Sequence, residues 1–136
     1  ALPILAKRVK DLRSCYRDWR ETEDPADLHR ARIAAKKLRY AAEFYTPAYD
    51  RRLLKIIEEV KAAQELAGDW HDAVVLADAL RRIEARAPYR EVQGFPLIIE
   101  AFRVFGESRT TEFQGWAKTF FSQEKREEMA KYLLGN

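Results

Sequence analysis

The sequence contains few of the residues that define disulfide-bonded, zinc-binding or membrane-spanning proteins. Its 136 residues include one cysteine, Cys15, so an internal disulfide and zinc-finger cysteine spacing are both excluded. Glycine and proline occur five times each, and the long segments between them favour helices. No apolar run approaches the roughly 18 residues that cross a bilayer, and residues 1–7 do not resemble a signal peptide. We therefore expect a cytoplasmic protein that does not span a membrane.

The positive charge of the chain is concentrated in its first part. Hydrophobic residues make up 47% of the sequence, enough for the core of one domain. The net charge is +3, but residues 1–55 hold 14 Lys and Arg against 8 Asp and Glu, and the remainder holds 11 against 14. Because a basic field concentrates polyanions and speeds their capture, the first part of the chain is the expected anion-binding region.

Apolar residues recur at helical spacing and predict an all-α fold. We expect a single domain over residues 1–136, with an antiparallel four-helix bundle at residues 5–87 and additional C-terminal helices in residues 89–136. The first helix is predicted over Leu5–Glu21. The second is expected to begin at Pro25, after Asp24 as its N-cap.

The second helix is predicted to end near Tyr45, because the residue before Pro47 avoids the helical region. Gly68 is predicted to terminate a third helix over residues 50–67. A fourth helix is expected over residues 69–88, closed by Pro88 and antiparallel to the third because the connection is very short. Farther on, a helix through residues 97–105 and a charged helix over 124–134 are expected.

Two successive helices carry matching basic stripes beside their apolar seams. At 100° per residue, each stripe repeats the same spacing within an arc of about 80°. Stacked like charges repel by a few tenths of a kcal/mol per pair. Because a bound anion would offset this repulsion, the stripes favour an anion-binding surface. The alternative is that long cationic side chains merely cover the edge of the core. We expect both stripes to converge into one trough; they comprise Lys10, Arg13, Arg17 and Arg20 in the first helix, and His29, Arg32, Lys36 and Arg39 in the second.

The run from His29 to Tyr40, which reads His-x-x-Arg-Ile-x-x-Lys-Lys-Leu-Arg-Tyr, resembles the signature helix of the CHAD family, the conserved histidine α-helical domain. A second match lies in residues 64–73, where Asp72 follows Gly68 by four residues; Glu43 also fits the pattern. The resemblance covers roughly residues 5–85. Ala67 replaces the usual leucine before the glycine. One signature helix is present instead of two, so the chain resembles a half-length member or a fragment.

Members of that family are built from two four-helix bundles and bind inorganic polyphosphate in a positively charged groove. The resemblance implies a non-catalytic polyphosphate-binding protein without cofactor or metal, located in the cytoplasm, where family members gather at storage granules. A continuous groove would need two chains, so we expect a homodimer. The resemblance assigns the anion contacts to His29, Arg32, Lys36, Lys37 and Arg39, and the stripe of the first helix adds Lys10, Arg13, Arg17 and Arg20, with Lys55 and Lys61 as weaker candidates. Glu43 and Asp72 are expected to orient the basic side chains, since carboxylates repel phosphate.

Three alternatives remain open from the sequence. A basic helix also suits nucleic acid, although no known DNA- or RNA-binding motif is present. The dipeptide His71-Asp72, with His29 and Asp78, offers ligands for a metal-dependent phosphohydrolase of the HD type, but hard metals prefer more carboxylates than this stripe provides. A structural role at storage granules is the third alternative. Cys15 lies beside apolar residues and is expected to fill space, not to act as a nucleophile.

Overall fold

The computed structural model describes residues 2–49, 51–86, 92 and 94–134. Every regular element within these ranges is an α-helix, which confirms the predicted all-α class. None of the described helices is both long and apolar enough to cross a membrane. The five helices are α1 (Leu2–Thr22), α2 (Pro25–Tyr49), α3 (Arg52–Glu84), α4 (Gly94–Phe120) and α5 (Gln123–Leu134).

Successive helices pack side by side, α1 on α2, α2 on α3 and α3 on α4. Leu12 of α1, Leu38 of α2 and Val60 of α3 are fully buried in a shared core, which Phe120 of α4 and Met129 of α5 complete. Full burial of a side chain such as Leu contributes about 1.5–3 kcal/mol. The helical spacing of apolar residues along α1 to α3 therefore corresponds to real contacts between neighbouring helices.

The turn between α1 and α2 follows the prediction. Asp24 Oδ1 accepts a hydrogen bond from the backbone N–H of Ala26 at 2.8 Å, and α2 begins at Pro25, so the predicted N-cap is confirmed. Glu23 has a φ of +53°, which gives the chain its sharp reversal. The buried carboxylate of Asp27 accepts a hydrogen bond from the Thr22 hydroxyl across the turn. These contacts place α1 and α2 in an antiparallel pair.

The predicted turn at Gly68 is wrong. α3 runs without interruption from Arg52 to Glu84, so the predicted third and fourth helices are one helix of 33 residues. A glycine inside a helix costs about 1 kcal/mol relative to alanine. Burial of Ala63, Ala67 and Ala73 on both sides of Gly68 offsets that cost and keeps the helix intact. The expected end at Pro88 lies outside the described residues.

The predicted end of α2 before Pro47 is also wrong, because α2 continues to Tyr49. A proline removes one backbone N–H from the helix, and here that loss falls in the last turn, where few hydrogen bonds remain to be broken. The hydroxyl of Thr46 donates a hydrogen bond to the carbonyl of Ala42 at 2.8 Å within the same turn. A terminal proline therefore shortens the hydrogen-bond ladder without ending the helix.

The C-terminal helices are anchored on α3. Gly106 of α4 lies so close to Ala73 that an added Cβ would stand 3.4 Å from the Ala73 methyl carbon. The Trp116 indole donates a hydrogen bond to the carbonyl of Glu59 at 2.7 Å. Lys125 of α5 is buried and its Nζ lies 2.6 Å from Glu59 Oε1. The helices predicted over residues 97–105 and 124–134 thus lie within α4 and α5.

Candidate anion-binding site

The basic stripe of α2 lies along α3. An added Cβ at Gly68 would stand 3.9 Å from the guanidinium of Arg32, so this arginine of α2 lies against α3 at the glycine. The imidazole rings of His29 and His71 are 6.3 Å apart between centroids and tilted by 35°. Residue numbers rise along α3 as they fall along α2, as expected for an antiparallel pair. We call the surface between these two helices the α2–α3 groove.

The same antiparallel register extends the groove along α2. Continued from the Arg32–Gly68 and His29–His71 pairs, this register predicts Lys36 level with Gln64 and Arg39 level with Lys61, one and two turns beyond Arg32. His29 and Lys36 are exposed, whereas Arg32 and Arg39 are half-buried. Ten residues of helix rise by about 15 Å. The row of basic side chains on α2, from His29 to Arg39, therefore spans about that length.

Carboxylates lie at the ends of this row. Glu43 Oε1 is 3.5 Å from Arg39 Nε, and the Arg39 guanidinium also lies 4.9 Å from the centre of the Tyr40 ring. Asp72 Oδ1 is 3.5 Å from His71 Nδ1. Glu43 is thus placed to orient an arginine, as predicted for it, whereas Asp72 lies beside a histidine. That Asp72 orients a basic side chain stays a prediction.

The centre of the row has no such partners. Among the residues that the structure describes, neither Arg32 nor Lys36 forms an ion pair with a carboxylate. Lys61, by contrast, has its Nζ 3.6 Å from Glu58 Oε1. Arg32 and Lys36 therefore keep charges that no ion pair among the described residues offsets.

The basic stripe of α1 lies elsewhere, and the expectation of one shared trough is wrong. Arg13 and Arg17 line a groove of about 270 Å³ with Lys118 and Phe121, on the side of α1 that faces α4. The stripe of α2 faces α3. The spacing of residues along a helix shows on which face the basic stripe lies relative to the apolar seam. It does not show which neighbouring helix packs beside that face.

The other predicted contacts are distributed around the molecule. Lys37 lines a groove of about 310 Å³ between α1 and α2, with Arg8, Asp11 and Arg30, so it does not join the row in the α2–α3 groove. Lys10 and Arg20 are exposed on α1. Lys55 Nζ lies 2.6 Å from Glu128 Oε1 and helps to hold α5. The structure thus places His29 and Arg32 against α3, and Lys36 and Arg39 lie on the same face of α2.

Sequence reasoning missed two cations that belong beside the α1 stripe. Lys118 of α4 lines the groove with Arg13 and Arg17. Arg126 of α5 lies close enough to Arg13 to act on its charge. Lys118 stands within the aromatic segment 113–121, and a lone cation in such a segment is a usable signal of a groove edge. The alternation of charge along α5 offers no comparable signal for Arg126.

Cys15 has the properties of a packing residue. Its side chain is half-buried against the core. Burial raises the pKa of the thiol, and the carboxylates of Asp18 and Asp11 raise it further, against an opposing effect of Arg30 and Lys37. A raised pKa keeps the thiol protonated near neutral pH, and the protonated thiol is a poor nucleophile.

The residues offered for an HD-type metal site do not form a donor set. Within the described residues, no group of three or more His, Cys, Asp and Glu side chains is placed to hold one metal ion. His29 and His71 approach each other, but among the residues that the structure describes Asp72 is the only carboxylate paired with either ring. Two imidazoles and one carboxylate beside a row of cations do not suit a hard divalent metal.

The described part of the chain is all-helical, and the basic stripe of α2 lies beside α3. The model of the CHAD domain family matches residues 1–81. The match spans more than half of the chain, and the protein belongs to the CHAD domain family. This family is associated in general with polyphosphate binding. A search of curated proteins and a search of solved structures found no match. The family match includes α1, α2 and most of α3, whereas α4 and α5 lie beyond it.

Proposed function

We propose that this protein binds inorganic polyphosphate in the α2–α3 groove without transforming it. The observation that carries the proposal is that the family match covers the helix whose stripe lies against Gly68 and His71. Arginine offers a planar fork to phosphate oxygens and lysine a compact charge. The cationic row follows the helix axis, so a linear chain of phosphates fits along it better than a single phosphate.

Binding is expected to depend steeply on salt. Each contact between a cation and a polyanion releases condensed counterions, as is known for nucleic acids. We expect the removal of three cations to reduce the slope of log affinity against log salt by about 2, by analogy with a slope of about 0.7 per contact in single strands. A purely structural role for these side chains predicts no such change in slope.

The test is a calorimetric titration of long-chain polyphosphate at two salt concentrations. The variant Arg32→Gln/Lys36→Gln/Arg39→Gln removes three of the four basic side chains of the row, and the variant Lys7→Gln/Arg82→Gln/Lys131→Gln removes the same charge at exposed positions elsewhere. At about 1 kcal/mol for each lost contact, the first variant is expected to bind about a hundredfold more weakly. The control is expected to lose less than threefold, since its effect is only through net charge.

The same titration separates polyphosphate from nucleic acid. DNA or RNA that displaces long-chain polyphosphate at equal phosphate concentration contradicts the preference proposed here. Equal binding by the wild type and the Arg32/Lys36/Arg39 variant contradicts the site. Circular dichroism of both variants shows whether helix content is preserved, as is expected for changes at exposed and half-buried surface positions.

The homodimer stays a prediction. α4 exposes Leu97, Val104 and Phe105, each more than two-fifths accessible, and a second copy would cover such a surface. Mass measured in solution tests this part of the proposal. A mass of one chain at micromolar protein concentration, with and without polyphosphate, contradicts it.

A further inference from the structure

The groove between α1 and α4 carries a concentration of positive charge that the α2–α3 groove does not explain. Arg13 and Arg17 of α1 and Lys118 of α4 line this groove, and the nearby charge of Arg126 on α5 helps to lower the pKa of Arg13. We call these four residues the Arg13 cluster. Three separate helices contribute to it, so the cluster is a product of the tertiary fold and not of one helical stripe.

The cluster has no internal compensation. None of its four cations forms an ion pair with a carboxylate in the described part of the chain. Cations elsewhere on the same helices are paired, for example Arg103 with Glu100 and Glu107. Like charges at three- and four-residue spacing repel each other, and here a third helix adds to the repulsion. An anion in this groove would relieve it.

The surroundings strengthen the interaction with an anion. Tyr16 and Phe121 line the same groove as the cations, and Arg13 is half-buried. The pKa of Arg13 is lowered from its ordinary value, first by burial and then by the charges of Arg126 and Arg17. Charges that are partly removed from water interact more strongly than exposed ones.

The position of the cluster keeps it apart from the α2–α3 groove. It lies on the side of α1 that faces α4, whereas the α2 stripe lies on the side of α2 that faces α3. The buried core residues Leu12, Leu38 and Val60 lie between α1, α2 and α3. An anion of three phosphates that occupies one groove therefore has no direct route to the other.

We propose that the Arg13 cluster is a second, independent binding site for condensed phosphate, so that each chain has two sites. The ligand class rests on the proposed function, but the site itself is formed by different residues. Because α4 and α5 complete it, this site depends on the part of the chain beyond the family match. With two sites, one protein chain would join two polyphosphate molecules or two separate segments of one long polyphosphate.

The experiment is a calorimetric titration with tripolyphosphate, which is too short to occupy both grooves. The variant Arg17→Gln/Lys118→Gln/Arg126→Gln changes three exposed positions of the cluster and keeps half-buried Arg13, so the fold is expected to persist. We expect two sites per wild-type chain and one in this variant. A single charge reversal, Lys118→Glu, is expected to weaken the same site at least tenfold and serves as a second variant at an exposed position.

The two proposals fail in different ways. A cluster variant that keeps the wild-type number of sites and the wild-type affinity overturns the second site, as does a wild type that binds no tripolyphosphate. The Arg32/Lys36/Arg39 variant reports on the α2–α3 groove alone. If it loses nothing while the cluster variant loses a site, the second site is supported and the proposed function is contradicted.

Discussion

Gly68→Ala distinguishes the observed continuous α3 from the turn that the sequence favours. In the structure Gly68 has no left-handed backbone, and an added Cβ would meet Arg32 at 3.9 Å, an ordinary van der Waals contact. Alanine therefore fits without displacing its neighbour. Since alanine exceeds glycine in helix propensity by about 1 kcal/mol, the substitution is expected to stabilise the protein by about 0.5–1 kcal/mol.

The sign of this effect carries the information. If Gly68 ended a helix in the left-handed region, alanine would destabilise the protein, because its Cβ is strained there. Urea unfolding followed by circular dichroism measures the difference, and the expected gain corresponds to about 2–4 °C in thermal midpoint. Gly68→Leu is the matched variant: its longer side chain would displace Arg32, so weaker polyphosphate binding is expected without loss of helix. Destabilisation by Gly68→Ala refutes the continuous helix.

Two further outcomes follow from the packing of α5 and α1. Lys125→Ala removes a side chain that is 8% exposed and leaves Glu59, 28% exposed, without its partner. We expect the free energy of unfolding in urea to fall by about 2–3 kcal/mol, less than the 3–5 kcal/mol of a fully buried pair. A fall of under about 0.5 kcal/mol contradicts the pairing. Because the thiol pKa of Cys15 is raised, alkylation by iodoacetamide at mildly alkaline pH is expected to be at least tenfold slower than in urea-unfolded protein. Equal rates would show that the thiol is freely accessible and unperturbed.

The sequence predicted correctly those features that depend only on neighbouring residues in the chain. Asp24 and Pro25 mark the start of α2 because capping needs only a short side chain beside its own helix. Gly68 and Pro47 misled the prediction for the opposite reason. Whether such residues interrupt a helix depends on packing several turns away, and the buried alanines around Gly68 have no separate signature in the sequence.

The candidate site was predicted in part. His29, Arg32, Lys36 and Arg39 share one face of α2, and the structure keeps them together because one helix carries them all. The prediction that this stripe shares one trough with the stripe of α1 is wrong, because tertiary packing decides which helix lies beside each face. Lys118 and Arg126 were out of reach for the same reason, because their closeness to Arg13 exists only after α4 and α5 have packed.

The chain has two histidines, His29 and His71, and both lie in the α2–α3 groove. Their imidazole signals in a carbon–proton NMR spectrum therefore report on the proposed site directly, with His71→Asn to assign them. We expect the chemical shifts of both imidazole signals to change as polyphosphate is added. The change is expected to end at the concentration where calorimetry shows saturation. Saturable binding of polyphosphate that leaves both imidazole signals in place contradicts the account.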